Sequence, residues 1–192
     1  MSFGFKSTRA VKLLLLVALI GTAAQAQQLL LPAQSEIAFV SKQMGVPVEG
    51  RFKKFDAQVS FDPAKPANGK ITLAIDINSI TLGAPEPDAE LPKAVWFNVA
   101  RFPQATFQSS SIKNLGGGKL EVVGKLAIKG QTQDATIPVM LTQNGTTTNA
   151  SGVLTIKRLA YKIGENEWAD TSMVADDVQV RFKLALSGVA KL

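Results

Sequence analysis

Acidic side chains are concentrated in the last third of the chain, where they could bind a cation or act as a paired acid and base. Glu165, Glu167 and Asp170 lie close together and are followed by Asp176 and Asp177. Their spacing fits no calcium loop, because the glycine and the bidentate glutamate positions are wrong. Paired glycosidase carboxylates cannot be recognised from sequence spacing. We therefore expect a loop here, with Asp177 at the start of a strand.

The chain contains no histidine and no cysteine. This excludes a Ser-His-Asp triad, a histidine-ligated zinc or haem, a cysteine nucleophile and a disulfide. An enzyme would have to use carboxylates, lysine, tyrosine or a bound cofactor. The composition therefore favours a binding protein over an enzyme, with no catalytic residues, no metal and no cofactor.

Basic residues surround the turn between the first two predicted strands: Lys42, Arg51, Lys53 and Lys54. They could attract a phosphate group or an anionic membrane surface. The alternative, which we favour, is a solvated strand edge whose charges discourage aggregation.

Residues 1–26 have the three parts of a cleavable secretory signal peptide. They begin with three basic residues, Lys6, Arg9 and Lys12, and continue with an apolar run over residues 13–20. Small residues at Ala24 and Ala26 suit a signal peptidase, so we expect cleavage near Ala26. A transmembrane anchor is the weaker alternative, because residues 11–24 fall short of the roughly 20 residues that span a bilayer.

Removal of that segment changes the charge balance. The whole chain has 21 basic and 15 acidic residues, a net charge of +6, and three of the basic residues lie in the signal. The remaining charge of +3 can draw the protein towards anionic surfaces without requiring any. We therefore expect no nucleic-acid partner.

The elements that must position a site are mostly strands. Apolar and polar residues alternate along residues 70–78 and 177–187, which sorts them onto two faces of a strand and would scatter them around a helix. The same reading predicts eight strands, over residues 36–43, 48–61, 70–78, 105–115, 119–129, 135–143, 150–159 and 177–187. The second needs a bend at Gly50 or a bulge between Phe52 and Phe55 that changes its register.

One stretch breaks the alternation. Apolar residues recur there at three- and four-residue spacing, at Leu91, Val95, Val99 and Phe102. Since Pro92 is tolerated only in a first turn, this spacing predicts a short helix from Asp88 or Pro92 to Asn98.

Antiparallel strands with short turns and one polar face each imply an all-β fold, an eight-stranded antiparallel barrel with one short helix in a long connection. We assign this barrel to residues 27–192. A membrane barrel needs aromatic girdles at both interfaces, for which one tyrosine and two tryptophans are too few. The barrel is therefore predicted to be soluble.

Several motifs occur in a fixed order along the chain: Met44-Gly45, Gly50-x-Phe52-x-x-Phe55, Phe61-Asp62-Pro63, Trp96-Phe97-Asn98-Val99, Val123-Gly124-Lys125-Leu126 and Tyr161-x-Ile163-Gly164-x-x-x-Trp168. Together they resemble the YceI-like family over nearly all of the chain after residue 26. The resemblance implies a periplasmic or secreted lipocalin-like barrel. Its apolar tunnel would hold an isoprenoid lipid such as an isoprenoid quinone or a polyprenyl phosphate. A homodimer and transient contact with a membrane surface are further expectations.

A polyprenyl chain offers only methyl groups and double bonds, so it can be held only by apolar burial. We expect the large apolar residues to surround such a tunnel: Phe39, Met44, Val46, Phe52, Phe55, Trp96, Phe97, Phe102, Phe107 and Trp168. Any of them could instead pack the core.

The predicted function is non-catalytic lipid binding for carriage or storage in the periplasm. One alternative is a carboxylate-dependent enzyme acting on a lipid or glycan, which requires a polar pocket with two convergent acids. Another is a structural or interaction module with a filled barrel.

Overall fold

The computed structural model describes residues 27–192, and the expected signal peptide over residues 1–26 lies outside them. The described part contains one α-helix, α1 (Pro85–Glu90), and eleven strands. These are β1 (Leu29–Leu30), β2 (Glu36–Gln43), β3 (Val46–Phe52), β4 (Phe55–Ser60), β5 (Lys70–Asp76), β6 (Ile80–Thr81), β7 (Gln104–Gly116), β8 (Lys119–Ile128), β9 (Gln131–Asn144), β10 (Thr147–Lys157) and β11 (Asp177–Ser187). Within residues 27–192, no helix is long and apolar enough to cross a membrane.

All strand pairs are antiparallel, in the order β4-β5-β7-β8-β9-β10-β11-β2-β3, with β6 beside β3 and β1 beside β11. β3 and β4 are two halves of one strand, so this strand supplies both edges of the sheet and curls it into a barrel. Apart from the two-residue β6, which lies between β5 and β7 in the chain, neighbouring strands around the barrel are consecutive except where β11 pairs with β2, from Gln179 opposite Val40 to Lys183 opposite Glu36. The predicted eight-stranded lipocalin-like fold is confirmed.

The bend in the long strand lies at Lys53 and Lys54, which confirms the predicted irregularity between Phe52 and Phe55. The residues on the cavity wall or buried beside it are even-numbered in β3, Val48 and Phe52, and odd-numbered in β4, Ala57 and Val59, because the bend changes the register once. Ser79 holds the bend: its backbone carbonyl accepts from Lys53 N at 3.1 Å and its hydroxyl accepts from Lys54 N at 2.9 Å.

One short helix lies in this connection, as predicted, but the predicted bounds, from Asp88 or Pro92 to Asn98, are wrong, since α1 ends at Glu90 and residues 91–98 form turns. Pro92 has no N–H to continue the helical hydrogen bonds, whereas Pro85 suits the first helical position. The apolar spacing reflects burial within these turns, where Val99 N donates to the carbonyl of Pro92 at 3.0 Å. Leu91 and Val99 are both buried.

The strand faces follow the predicted alternation. In β11, Val178, Val180 and Phe182 face the interior, while Gln179, Arg181 and Lys183 are exposed outside. The interior holds two groups of packed apolar residues, one around Phe61, Val122 and Leu186 and one around Ile77, Val99 and Tyr161. β1 and β6, each two residues long, were not among the predicted strands.

Candidate ligand-binding cavity

The barrel encloses an apolar cavity of about 380 Å³. Its wall is built from the inward positions of nine strands, β2–β5 and β7–β11, so the alternation that folds the sheet also makes the wall apolar. The volume lies in the range of about 300–1,000 Å³ that is usual for small-molecule sites. Along β5 the wall residues are Ile71, Leu73 and Ile75, and along β10 they are Thr148, Ala150, Leu154 and Ile156.

One end of the cavity is closed by packed side chains and by the first residues of the described chain. Leu30 packs there against the group that contains Phe61 and Val189. The side-chain amide of Gln28 donates from Nε2 to the Phe61 carbonyl at 2.6 Å and accepts from Phe61 N at 2.9 Å. This pair of bonds fastens β1 to the end of β4.

The other end is the mouth of the cavity. Gln43 and Glu90 are the exposed members of the wall, and both lie at this end. The mouth is bordered by α1, by the turn between β2 and β3, and by the loop over residues 158–176. Met44 N donates to the carbonyl of Met173 at 2.7 Å, which joins that turn to the loop.

α1 is held over the mouth by Asp88. Its carboxylate accepts hydrogen bonds from Thr81 Oγ1 and from Leu82 N, both at 2.5 Å. The bond from Thr81 is the main reason why the pKa of Asp88 lies below its ordinary value, with the bond from Leu82 N second. Pro87, Glu90 and Leu91 thereby reach the cavity wall.

Polar side chains are few on the wall: Ser41, Gln43, Glu90, Thr148 and Arg158. Thr148 is fully buried and its Oγ1 accepts from Gln143 Nε2 at 3.1 Å. Glu90 is the only carboxylate among the described residues that line the cavity, and it forms an ion pair with Lys93 at 2.5 Å. The wall therefore presents no second acid that could work with Glu90.

Arg158 holds the loop at the mouth in place, and only 2% of its surface is exposed. Its guanidinium donates five hydrogen bonds to backbone carbonyls of the loop, to Ala175 at 3.0 Å, Ile163 at 2.8 Å, Gly164 at 3.1 Å, Trp168 at 2.6 Å and Val174 at 2.7 Å. Burial lowers the pKa of Arg158, and the charge of Asp176 partly offsets this. All five N–H donors of the side chain are used.

A second buried cation supports the same loop. Lys129 is 6% exposed, and its Nζ donates to Lys162 O at 2.6 Å and to Glu165 Oε2 at 2.8 Å. The hydrogen bond from Lys129 is the largest cause of the lowered pKa of Glu165. Through their bonds to the loop, Lys129 and Arg158 together fix the position of Trp168. The ring of Trp168 lies 5.4 Å from that of Trp96.

Neither Lys129 nor Arg158 was among the residues predicted from the sequence. The signal for Arg158 is its position, because period-two alternation along β10 continues from Leu154 and Ile156 to place residue 158 inward. A charged residue at the end of such an apolar row marks a buried cation that needs partners.

The acidic residues of the last third are structural, as the predicted loop requires. Asp170 accepts from Ser172 N at 2.8 Å, Asp176 accepts from Leu159 N at 2.9 Å, and Asp177 pairs with Lys157 at 2.6 Å. Asp177 is the first residue of β11, as expected.

Six of the ten residues proposed for the tunnel lie on the cavity wall: Phe39, Phe52, Trp96, Phe97, Phe107 and Trp168. Their contact with a ligand stays a prediction. The rings of Phe39 and Phe52 lie 5.6 Å apart on neighbouring strands.

The other four lie away from the wall. Met44 has φ of 48° in the tight turn after β2 and is 71% exposed. Val46 is 63% exposed, because the hairpin extends past the barrel. Phe55, beside the bend, lines a surface cleft. Phe102 packs over Gly130, under the guanidinium of Arg101.

The model of the family described as "YceI-like domain" matches residues 29–186 of this chain. The chain belongs to the YceI-like family. Among its YceI-like relatives is Protein YceI of Salmonella arizonae, which is 38% identical over 96 residues. That match covers 50% of this chain and 50% of the relative, so the chain spans about half the length of the curated relatives it matches.

Solved structures share the YceI-like fold. BcnA of Burkholderia cenocepacia is 49% identical with a TM-score of 0.79, covering 81% of this chain and 98% of BcnA. The YCEI protein of Campylobacter jejuni has a TM-score of 0.66 at 23% identity, over 72% of this chain and 83% of its own. A polyisoprenoid binding domain from Saccharophagus degradans has a TM-score of 0.69 at 18% identity, over 84% and 98%.

Proposed function

We propose that this YceI-like protein binds an isoprenoid lipid, an isoprenoid quinone or a polyprenyl phosphate, inside the barrel. Binding is non-covalent, and the protein carries or stores the lipid in the periplasm. The observation that carries the proposal is the apolar cavity of about 380 Å³, whose wall has five polar side chains among its many aliphatic and aromatic ones.

Such a wall suits a chain with no hydrogen-bonding groups. Apolar burial is worth about 25 cal/mol per Å², so each five-carbon unit contributes a few kcal/mol before the entropy of ordering the chain. A polyisoprenoid binding domain with the same fold adds support from a distant relative. Catalysis by paired acids, the alternative function, needs two carboxylates, and Glu90 is the single carboxylate among the described residues of the wall.

Export is supported by the signal-like sequence of residues 1–26. Contact with a membrane is supported at the mouth, where Met44, Val46 and Met173 are 71%, 63% and 40% exposed. Exposed apolar groups that adjoin a binding site commonly mark an interaction surface. The mouth would rest on the lipid surface while the ligand passes. A homodimer also belongs to the proposal and is tested by light scattering of the purified protein.

Extraction of the protein tests the lipid directly. The chain is purified from a bacterial host, denatured and extracted with organic solvent, and the extract is analysed by mass spectrometry. Leu154→Trp fills the cavity from β10, whereas Val153→Trp on the adjacent position faces outward at 44% exposure and serves as the matched control. We expect stoichiometric isoprenoid lipid from the wild type and Val153→Trp, and little from Leu154→Trp. Repeated empty extracts from folded wild-type protein would overturn the proposal.

A further inference from the structure

Three phenylalanine rings of the cavity wall lie against glycines of a neighbouring strand. The pairs are Gly50 with Phe39, Gly124 with Phe107, and Gly152 with Phe182, and each glycine occupies an inward position of its strand. A Cβ at these glycines would lie 2.2, 2.6 and 2.6 Å from the ring Cζ. Because the arrangement recurs on three strand pairs, we expect the lack of a side chain at these three glycines to have a common role.

Each ring occupies the space that a Cβ would fill. It therefore lies along the wall and leaves the interior of the cavity free. Unbonded carbon atoms approach to about 3.5–4.0 Å, so any larger residue at the glycine must displace the ring. The width of the cavity thus depends on residues that contribute no side chain to it.

At Gly50 only side chains have to move, chiefly the ring of Phe39 and to a smaller extent Leu82, whose Cδ2 would lie 2.8 Å from the new Cβ. At Gly124 and Gly152 a Cβ would also meet a backbone oxygen, of Gln108 at 2.3 Å and of Pro138 at 2.4 Å. At Gly50 its three nearest neighbours are all side-chain atoms, Cζ and Cε1 of Phe39 and Cδ2 of Leu82. Restoring normal contact from 2.2 Å requires the ring of Phe39 to shift by roughly 1.5 Å towards the cavity.

The position of this pair makes the shift consequential. Phe39, Ser41 and Gln43 follow one another on the inward face of β2, and Gln43 lies at the mouth. The ring of Phe39 therefore borders the passage that a ligand must enter. A shift of this size removes about the space that one methyl branch occupies.

We infer that Gly50 and Phe39 together set the width of the cavity near its mouth, and that this width admits a methyl-branched isoprenoid chain. The inference rests on the proposed function. With Gly50→Ala, the displaced ring excludes the methyl branches, while a straight chain still passes.

The test compares two alcohols with equal numbers of carbon atoms, geranylgeraniol and the corresponding straight-chain alcohol. Wild-type protein, Gly50→Ala, Phe39→Leu and the double variant are freed of lipid by unfolding and refolding. Binding is followed through Trp96 and Trp168, which lie on the cavity wall. Phe39→Leu lacks the ring atoms that the new Cβ would meet, so it should relieve the effect of Gly50→Ala.

We expect Gly50→Ala to weaken geranylgeraniol binding by about tenfold or more and straight-chain binding by less than about threefold, since one methyl-sized change in an apolar pocket is worth about 10-fold to 200-fold. The double variant should bind geranylgeraniol as Phe39→Leu does. Equal losses for both alcohols, no loss, or no recovery in the double variant would overturn the inference.

Failure of the proposed function gives a different result, because the wild type would then bind neither alcohol. If Gly50→Ala does not fold, the same steric argument requires the double variant to fold. A double variant that also fails to fold overturns the inference.

Discussion

Arg158→Met tests whether the buried guanidinium holds the mouth of the cavity together. Methionine keeps an unbranched apolar side chain of similar reach and removes all five hydrogen bonds to the loop carbonyls. At about 1 kcal/mol net for each bond, the loss comes to roughly 5 kcal/mol. Relief of the cost of burying the cation offsets part of it. We therefore expect the free energy of unfolding to fall by about 3–5 kcal/mol.

A loss of that size is large against the total stability of about 5–15 kcal/mol that is usual for a domain. For a domain of this length it lowers Tm by about 6–20 °C. Unfolding in urea can be followed by the fluorescence of Trp96 and Trp168, whose rings lie 5.4 Å apart beside the loop. The stability of Arg158→Lys should lie between that of the wild type and that of Arg158→Met, since an ammonium group has three donors in place of five.

The matched control is Arg181→Met, on the outer face of β11, where the arginine is exposed and donates to Gln179 at 2.9 Å. Exposed substitutions of this kind usually change stability by less than about 0.5 kcal/mol. If Arg158→Met were no less stable than Arg181→Met, the reasoning about the mouth would be refuted.

Two further predictions concern the loop and the mouth. Glu165→Gln should lose the stabilisation from Lys129 at neutral pH: the folded-state pKa of Glu165 is lowered, so its contribution is present above the ordinary glutamate pKa and disappears as the pH falls through the lowered value. The stability difference from the wild type in urea should therefore shrink from about pH 7 to about pH 3, and a constant difference would contradict the assignment. Met44→Gln combined with Met173→Gln should reduce cosedimentation with phosphatidylcholine vesicles, whereas Leu115→Gln, at a position 56% exposed near the end of β7, should not. If the double methionine variant cosedimented as well as the wild type, the mouth would not be the membrane contact. If that variant instead lost a dimer that the wild type forms, the exposed methionines would be assigned to contact with a second copy of the chain.

Strands and their faces were predictable because each depends on neighbours in the chain. Val178, Val180 and Phe182 alternate with polar residues, and the half-buried strand is the conformation that separates the two sets. The bulge after Phe52 followed from the same alternation, since the apolar positions change parity there. The family motifs then selected the lipocalin-like barrel from the architectures that such strands permit.

The limits of the helix and of the tunnel wall depended on contacts between distant segments. Pro92 ends α1, yet the apolar spacing beyond it mimicked a helix because Leu91 and Val99 are buried by turns. Met44 is apolar like the residues of the wall, but it lies in the turn of a hairpin that extends beyond the barrel. The role of Arg158 needed the course of the whole loop, because its acceptors are backbone carbonyls that carry no sequence signal.

The connectivity of the barrel also sets the order of its assembly. Hairpins between consecutive strands close short loops and form quickly, but the pairing of β2 with β11 joins segments separated by most of the chain. Such distant pairings form late and slow the folding of β proteins. The cavity exists only after that step, so a lipid bound inside stabilises the closed barrel alone and slows its opening. The rate at which β2 and β11 part should therefore fall when the cavity is occupied, and hydrogen exchange at this strand pair becomes a measure of that occupancy.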